Sequence, residues 1–166
     1  MKILKYFSVL TVTFAFFMIS NLIDIPSAQA ACGTYYEDND DPNGLTYRNG
    51  FSTYSKATSS YRGDYRLSKD TSSRDFHQWR SPGGKCDGYH YYYAYLNNVN
   101  FTNTTATYNY PTTSGDAIKK IDQYNAPGGW NYVGFGYTSA TIRISVTTYG
   151  PTGSKTGADG IKFVKS

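Results

Sequence analysis

The sequence is poor in the residues that most catalytic sites need. Among 166 residues it has two histidines, two cysteines, two tryptophans and two methionines, and its only glutamate is Glu37. No G-x-S-x-G elbow offers a serine nucleophile, and no H-E-x-x-H pair offers a metal-hydrolase centre. Glycoside cleavage needs two carboxyl groups flanking the bond. Asp64, Asp70, Asp75, Asp87, Asp116 and Asp122 lie scattered beside turns, and no pair stands out. His77 and His90 fall on expected strands, where two imidazoles and an aspartate would hold a metal if the strands were neighbours; the commoner fate of such histidines is burial in a strand. There is no basic stripe, the longest basic run being Lys119-Lys120, so nucleic acid is a poor partner. No apolar stripe at helical spacing persists beyond residue 30.

The one long apolar run is at the start. Lys2 and Lys5 precede residues 7–18, FSVLTVTFAFFM, and Ala28-Gln29-Ala30 forms an A-x-A cleavage site. This pattern predicts a secretory signal over 1–30, removed from a mature domain of 31–166. The run falls short of the roughly 20 residues that span a bilayer. Gln29, three before Cys32, does not fit a lipid-anchor motif, so no membrane association is expected of the mature form. Fourteen basic against eleven acidic side chains then remain, a net charge of +3. That is mild enough for an ordinary soluble surface, with a weak attraction to anionic cell-wall polymers. In a secreted chain Cys32 and Cys86 allow one intramolecular pairing, against two free thiols. Chain-entropy bookkeeping gives such a bridge about 4 kcal/mol.

Strand signals fill the rest. Residues 45–75 alternate polar and aromatic positions as short, half-exposed strands. In 75–80, DFHQWR, Phe76 and Gln78 share one face and His77 and Trp79 the other. In 89–96, YHYYYAYL, Tyr89, Tyr91, Tyr93 and Tyr95 share one face, and His90, Tyr92, Ala94 and Leu96 the other. Bulk on both faces suits a central strand covered on both sides, the alternative being a tyrosine row exposed as a binding platform. The polar loop 97–105 carries an Asn103-Thr104-Thr105 sequon. Ala106, Tyr108 and Tyr110 alternate up to Pro111, and 112–116 is a turn. Ile118 to Ile121, a turn through Asn125, Pro127, Gly128 and Gly129, and a restart at Trp130 read as a β-hairpin. Asp122 is placed to cap that turn. Ile142, Ile144 and Val146 point inward, with Arg143 and Ser145 outward. A final strand, 157–164, puts Ile161 and Phe163 on one face. About eight short, mostly antiparallel strands joined by Gly/Pro/Asn turns predict a single all-β sandwich or jelly roll.

Tyrosine is the compositional excess, with 18 in the chain. Sugar C–H faces stack on aromatic rings, and tyrosine gives broad contact at little rotamer cost. Trp79, Tyr91, Tyr93, Tyr95 and Trp130 are the candidate ligand-binding residues. The competing reading is that tyrosine is a good, half-buried strand residue and that Trp130 packs in the core. Glu37, Asp38, Asp40 and Asp41 form the sole acidic cluster. By analogy with sugar-binding jelly rolls, Asp38, Asp40 and Asp41 with Asp159 would hold a structural Ca²⁺. The alternative is a solvated Asx-rich turn before Pro42-Asn43-Gly44.

Several segments resemble one family. Ile121-Asp122-Gln123 followed by Gly128-Gly129-Trp130-Asn131-Tyr132-Val133-Gly134-Phe135, and then Ala158-Asp159-Gly160-Ile161-Lys162-Phe163, resemble the "VDQ…GGxWNxLGxYxF…ADAVRF" pattern of the golvesin/xanthan-lyase-type C-terminal domain. Gly88 to Tyr93 is similar to its "GxYxVYxxxP" strand, with Leu96 at the proline position, and Asp38-Asn39 to its opening "DN". The resemblance covers most of residues 31–166. It implies a galactose-binding-like β-sandwich of secreted bacterial proteins and a non-catalytic role in binding extracellular or cell-wall polysaccharide. Two other roles stay open, a structural or adhesive surface protein acting through protein contacts or self-association, and a small secreted hydrolase.

Overall fold

The computed structural model describes residues 33–41, 46–51, 53–68, 75–81, 87–97, 99–139 and 141–166. The chain divides into Met1–Ala31 and Cys32–Ser166, and every described residue belongs to the second unit. The expected signal segment, Cys32 and Cys86 lie outside the described residues.

The unit is all-β. Its strands are β1 (Thr34–Glu37), β2 (Thr46–Asn49), β3 (Thr53–Lys56), β4 (Asp64–Leu67), β5 (Phe76–Arg80), β6 (Gly88–Leu96), β7 (Ala106–Thr112), β8 (Gly115–Ile121), β9 (Gly129–Thr138), β10 (Arg143–Thr147), β11 (Gly157–Ala158) and β12 (Ile161–Lys165). Among the described residues, twelve strands replace the expected eight or so. The excess comes from the short pieces within 45–75 and from a break at Asp159–Gly160 that splits the final strand. A four-stranded sheet β1-β12-β6-β9 and a five-stranded sheet β2-β5-β10-β7-β8 form the sandwich, and β11-β4-β3 makes a smaller third sheet. Every pairing is antiparallel.

Alternation decides what goes inside. Tyr92, Ala94, Leu96, Val133, Ile161 and Phe163 of the first sheet meet Trp79, Ala106, Tyr108, Ile144 and Val146 of the second in one core, all 2% exposed or less. Ile142, Ile144 and Val146 point inward as the sequence predicts. Tyr108 and Tyr92 bury their hydroxyls here. Tyr92 donates to the Gly136 carbonyl at 3.2 Å, and the Tyr108 hydroxyl accepts from Gln123 Nε2 at 2.8 Å.

The hairpin expected between Ile121 and Trp130 is not one. β8 pairs with β7 and β9 with β6, so the turn carries the chain from one sheet to the other. Local turn chemistry is as expected. Asp122 Oδ1 accepts from the amides of Tyr124 and Asn125, both at 3.0 Å, and Oδ2 from Asn125 Nδ2 at 2.8 Å. These bonds, led by the Asn125 side chain, hold the Asp122 carboxyl below its ordinary pKa. Gln123 turns inward, donating to the Gly157 carbonyl at 3.0 Å and accepting from its amide at 2.9 Å.

Two other features depart from the sequence pattern, and the histidines take the commoner of their two expected fates. β7 continues through Pro111, pairing it with Asp116 of β8. Asn103 of the sequon is fully buried, bonded to Thr156 Oγ1 at 2.7 Å and to the Thr105 amide at 2.8 Å. His77 and His90 lie in different sheets and are both buried. His77 sits against the rings of Trp79 and Phe51, at 4.5 and 5.8 Å.

Candidate functional site

The outer face of the four-stranded sheet is paved with rings. β6 alternates so that Tyr89, Tyr91, Tyr93 and Tyr95 all point away from the core. β9 would lose this alternation but for a bulge. Tyr92 pairs with Gly134 and Tyr93 with Tyr132, leaving Val133 unpaired. The extra residue lets Tyr132 and Phe135, three apart, both face outward.

Two groups of rings result. Tyr89 stacks on Phe135 at 5.3 Å and 8°, with Tyr137 at 5.2 Å from Tyr89 and Tyr91 at 4.7 Å from Phe135. Trp130 sits at the centre of the second group, 5.6 Å from Tyr36, 5.2 Å from Tyr61 and 5.2 Å from Tyr95. Lys162 of β12 joins this group to the middle of the sheet. Its Nζ lies 4.4 Å from the Tyr93 ring and 5.1 Å from that of Trp130, and Tyr93 meets Tyr132 at 5.8 Å. Tyr36, Tyr89, Tyr91, Tyr132 and Phe135 are 38–49% exposed, while Tyr93, Tyr95 and Trp130 are half-buried. Tyr93 and Lys162 thus link the two groups into one continuous, partly exposed ring patch.

Tyr61 reaches the patch from a 3₁₀ turn, Tyr61–Gly63. Asp159 holds that turn, its two carboxylate oxygens accepting the Tyr61 amide at 3.0 and 3.2 Å. Arg62 takes the left-handed conformation, φ 51°, a strained state of the kind that clusters at ligand clamps. Burial pushes the Asp159 carboxyl up to about 8.

The structure therefore keeps four of the five expected binding residues on one surface and removes the fifth. Trp79 is 1% exposed, and its indole N–H donates to the Asp159 carbonyl at 3.0 Å. It faces the core and cannot meet a ligand; the parity of β5 was legible, but not which parity faced inward. Sequence reasoning missed Tyr36, Tyr61, Tyr132, Phe135 and Lys162. The bulge hid Tyr132 and Phe135, and Gly134 between them was the available signal. The expectation that β6 is covered on both faces gives way to its alternative, the exposed tyrosine row.

The acidic turn assembles differently from the expected set. Carboxylate oxygens of Asp38, Asp40 and Asp64 lie within 4.8 Å of one another. Asp41 instead accepts the Asp38 amide at 2.7 Å and faces Arg62 at 3.3 Å, and Asp159 is engaged by Tyr61. Burial raises Asp38 to about 6, and burial together with Asp41 raises Glu37 to about 8. Asn39, in the same turn, donates to Asp64 Oδ1 at 2.6 Å, while its own Oδ1 is buried without a hydrogen-bond partner. Three clustered carboxylates are the hard-oxygen chemistry that calcium takes, although Asn39 N–H groups already occupy Oδ1 of Asp38 and of Asp64.

No protein-family model matches the sequence, and no curated protein matches it. The golvesin side of the resemblance thus stands on its motifs alone. Among solved structures, a xanthan lyase from Paenibacillus matches 81% of this chain with 22% identity and a TM-score of 0.67. A family 35 carbohydrate-binding module from Clostridium thermocellum matches 78% of this chain and 98% of its own length with 13% identity. Its TM-score of 0.47 adds nothing to the fold assignment. This chain spans only 13% of the xanthan lyase, so what is shared is one module, and the similarity establishes its fold as a β-sandwich.

Proposed function

We propose that this chain is a secreted, non-catalytic module that binds extracellular or cell-wall polysaccharide across the aromatic face of its four-stranded sheet. The observation that carries the reading is that face itself, with exposed Tyr91 and Phe135 at one end, Trp130 at the other, and Lys162 between. Rings held by a rigid sheet stack on sugar faces with little ordering cost. The motifs shared with the golvesin/xanthan-lyase-type domain agree, and a xanthan lyase gives a precedent for this fold within a longer protein named for a polysaccharide. A Ca²⁺ held by Asp38, Asp40 and Asp64 would brace the turn that leads out of β1, which carries Tyr36. The hydrolase reading has less support, because the carboxyl groups with raised pKa, Glu37, Asp38 and Asp159, are 2–3% exposed and closed to a glycosidic bond. A second reading is favoured by the size of the exposed ring patch, namely that it pairs with another copy or another protein in an adhesive role.

The test is retention of the purified protein on insoluble peptidoglycan, chitin, cellulose and biofilm polysaccharide, with and without a calcium chelator. Retention on one polymer, reduced about tenfold or more in a Tyr91→Ala/Trp130→Ala variant, is the expected result. Loss of retention in chelator brings the acidic turn into the account. No retention anywhere, with concentration-dependent self-association on a sizing column, would move the assignment to the adhesive protein.

A further inference from the structure

The opposite face of the sandwich carries a second, chemically different surface. The register of the five-stranded sheet aligns Tyr47, Gln78, Ser145, Asn109 and Ile118 in one outward row across all five strands. In the adjoining row Arg80 of β5 pairs with Arg143 of β10. A groove of about 450 Å³ opens here, lined by Gln78, Asn109, Asp116, Thr141, Arg143 and Ser145 with Pro111 as a wall. That volume falls in the range of small-ligand sites.

The groove's polar groups are only partly used. Gln78 Oε1 accepts from Arg80 Nε at 2.9 Å, which leaves the Gln78 NH₂ as a donor. Asn109 Nδ2 is turned to Ser145 Oγ at 3.5 Å, which leaves the Asn109 carbonyl as an acceptor. Among the described residues the side chains of Arg143 and Asp116 make no hydrogen bond or ion pair. These opposite charges line one groove without meeting, because β7 separates β10 from β8 and two strand spacings amount to about 9–10 Å. An object that fills the gap can satisfy both ends at once. A sugar ring offers that combination: an anionic substituent for the guanidinium and hydroxyl donors for Asp116 and Asn109. Two arginines against one aspartate leave the surface cationic. The planar fork of Arg143 matches a carboxylate, while Asp116 disfavours a more densely charged group.

We propose that the outer face of the five-stranded sheet is a second saccharide site, which selects sugars bearing a carboxylate through Arg143, with Arg80 beside it and Asp116 taking a hydroxyl. It is independent of the aromatic face, lies on the other sheet, and needs no calcium.

The test is calorimetric titration of the intact protein with polygalacturonate, alginate and hyaluronan, each beside its methyl-esterified, uncharged form. At least one free acid is expected to bind. Its ester should bind about tenfold more weakly or worse, since charge-assisted hydrogen bonds of this kind contribute on the order of that factor. Arg143→Ala should match that loss, and Arg143→Lys should recover only part of it. Both are exposed-site changes whose folding is checked by thermal unfolding. Tyr91→Ala/Trp130→Ala should leave the acid's binding at this site intact, which separates failure here from failure of the aromatic face. The proposal is overturned if none of the three acids binds, if acid and ester bind alike, or if Arg143→Ala binds as the parent does. It is also overturned if a phosphate-linked glycan such as teichoic acid is the only Arg143-dependent ligand.

Discussion

Gln123 shows how much one side chain can tie together. It is 4% exposed and bridges Tyr108 of β7 to both polar groups of Gly157 in β11. Gln123→Ala leaves a buried hydroxyl, amide and carbonyl without this partner, and is expected to destabilise the fold by about 1–3 kcal/mol in chemical denaturation. Adding Tyr108→Phe should cost less in that background than in the parent, since the hydroxyl has already lost its partner. Asp122, its neighbour, was legible as a turn cap because Asx chemistry is local. Gln123 was not, because its partners lie 15 and 34 residues away. Trp79 teaches the same at the binding level. Its pairing with His77 on one face followed from period 2, but the choice of face is set by the neighbouring strands, and a one-residue slip inverts it.

At the scale of elements, β9 makes the sandwich close. A Cβ on Gly136 would collide with the Pro111 carbonyl oxygen, and one on Gly134 with the Tyr110 ring. Gly136 marks where β9 meets the β7 backbone, and Gly134 makes room for the Tyr110 ring. Gly136→Ala is expected to cost about 3 kcal/mol, with a matching drop in the denaturation midpoint, because the obstacle is backbone and cannot rotate away. Individual strands read well from sequence where one face is fully apolar, as in β10 and β12. Connections did not. The Asn-Ala-Pro-Gly-Gly signal between β8 and β9 announces a change of direction, and nothing local says whether the next strand joins the same sheet or the facing one. The aromatic face was half legible for the same reason. The row on β6 follows from alternation, whereas Tyr36, Tyr61 and Lys162 reach it through pairings and turns distant in sequence.

For the molecule as a whole, pH dependence is set by what the sandwich buries. His77 is fully enclosed, with neither ring nitrogen hydrogen-bonded, and burial, aided by Arg66 and Arg48, pushes its pKa down to about 3 from 6.5. Between these values the unfolded chain takes up a proton that the folded one refuses. His77 therefore costs stability as pH falls below about 6.5, and the loss continues down to about 3. Glu37 and Asp159, raised to about 8, act in the opposite sense, losing stability as pH rises from their ordinary range towards 8. In a His77→Phe variant the difference in Tm from the parent should move in the variant's favour as pH is lowered from 7 to 4. A difference that stays constant over that range would place the acid sensitivity elsewhere.

The position of β12 also governs when the fold can form. It lies between β1 and β6, and β1 has no other strand partner among the described residues. Residues 34–37 thus find their place only against residues 161–164. A growing chain cannot assemble this sheet until residues 161–165 have emerged, and closing so long a loop is slow. The aromatic face, which needs β1, β12, β6 and β9 side by side, accordingly comes together only after β12 has been made, more than 120 residues after β1.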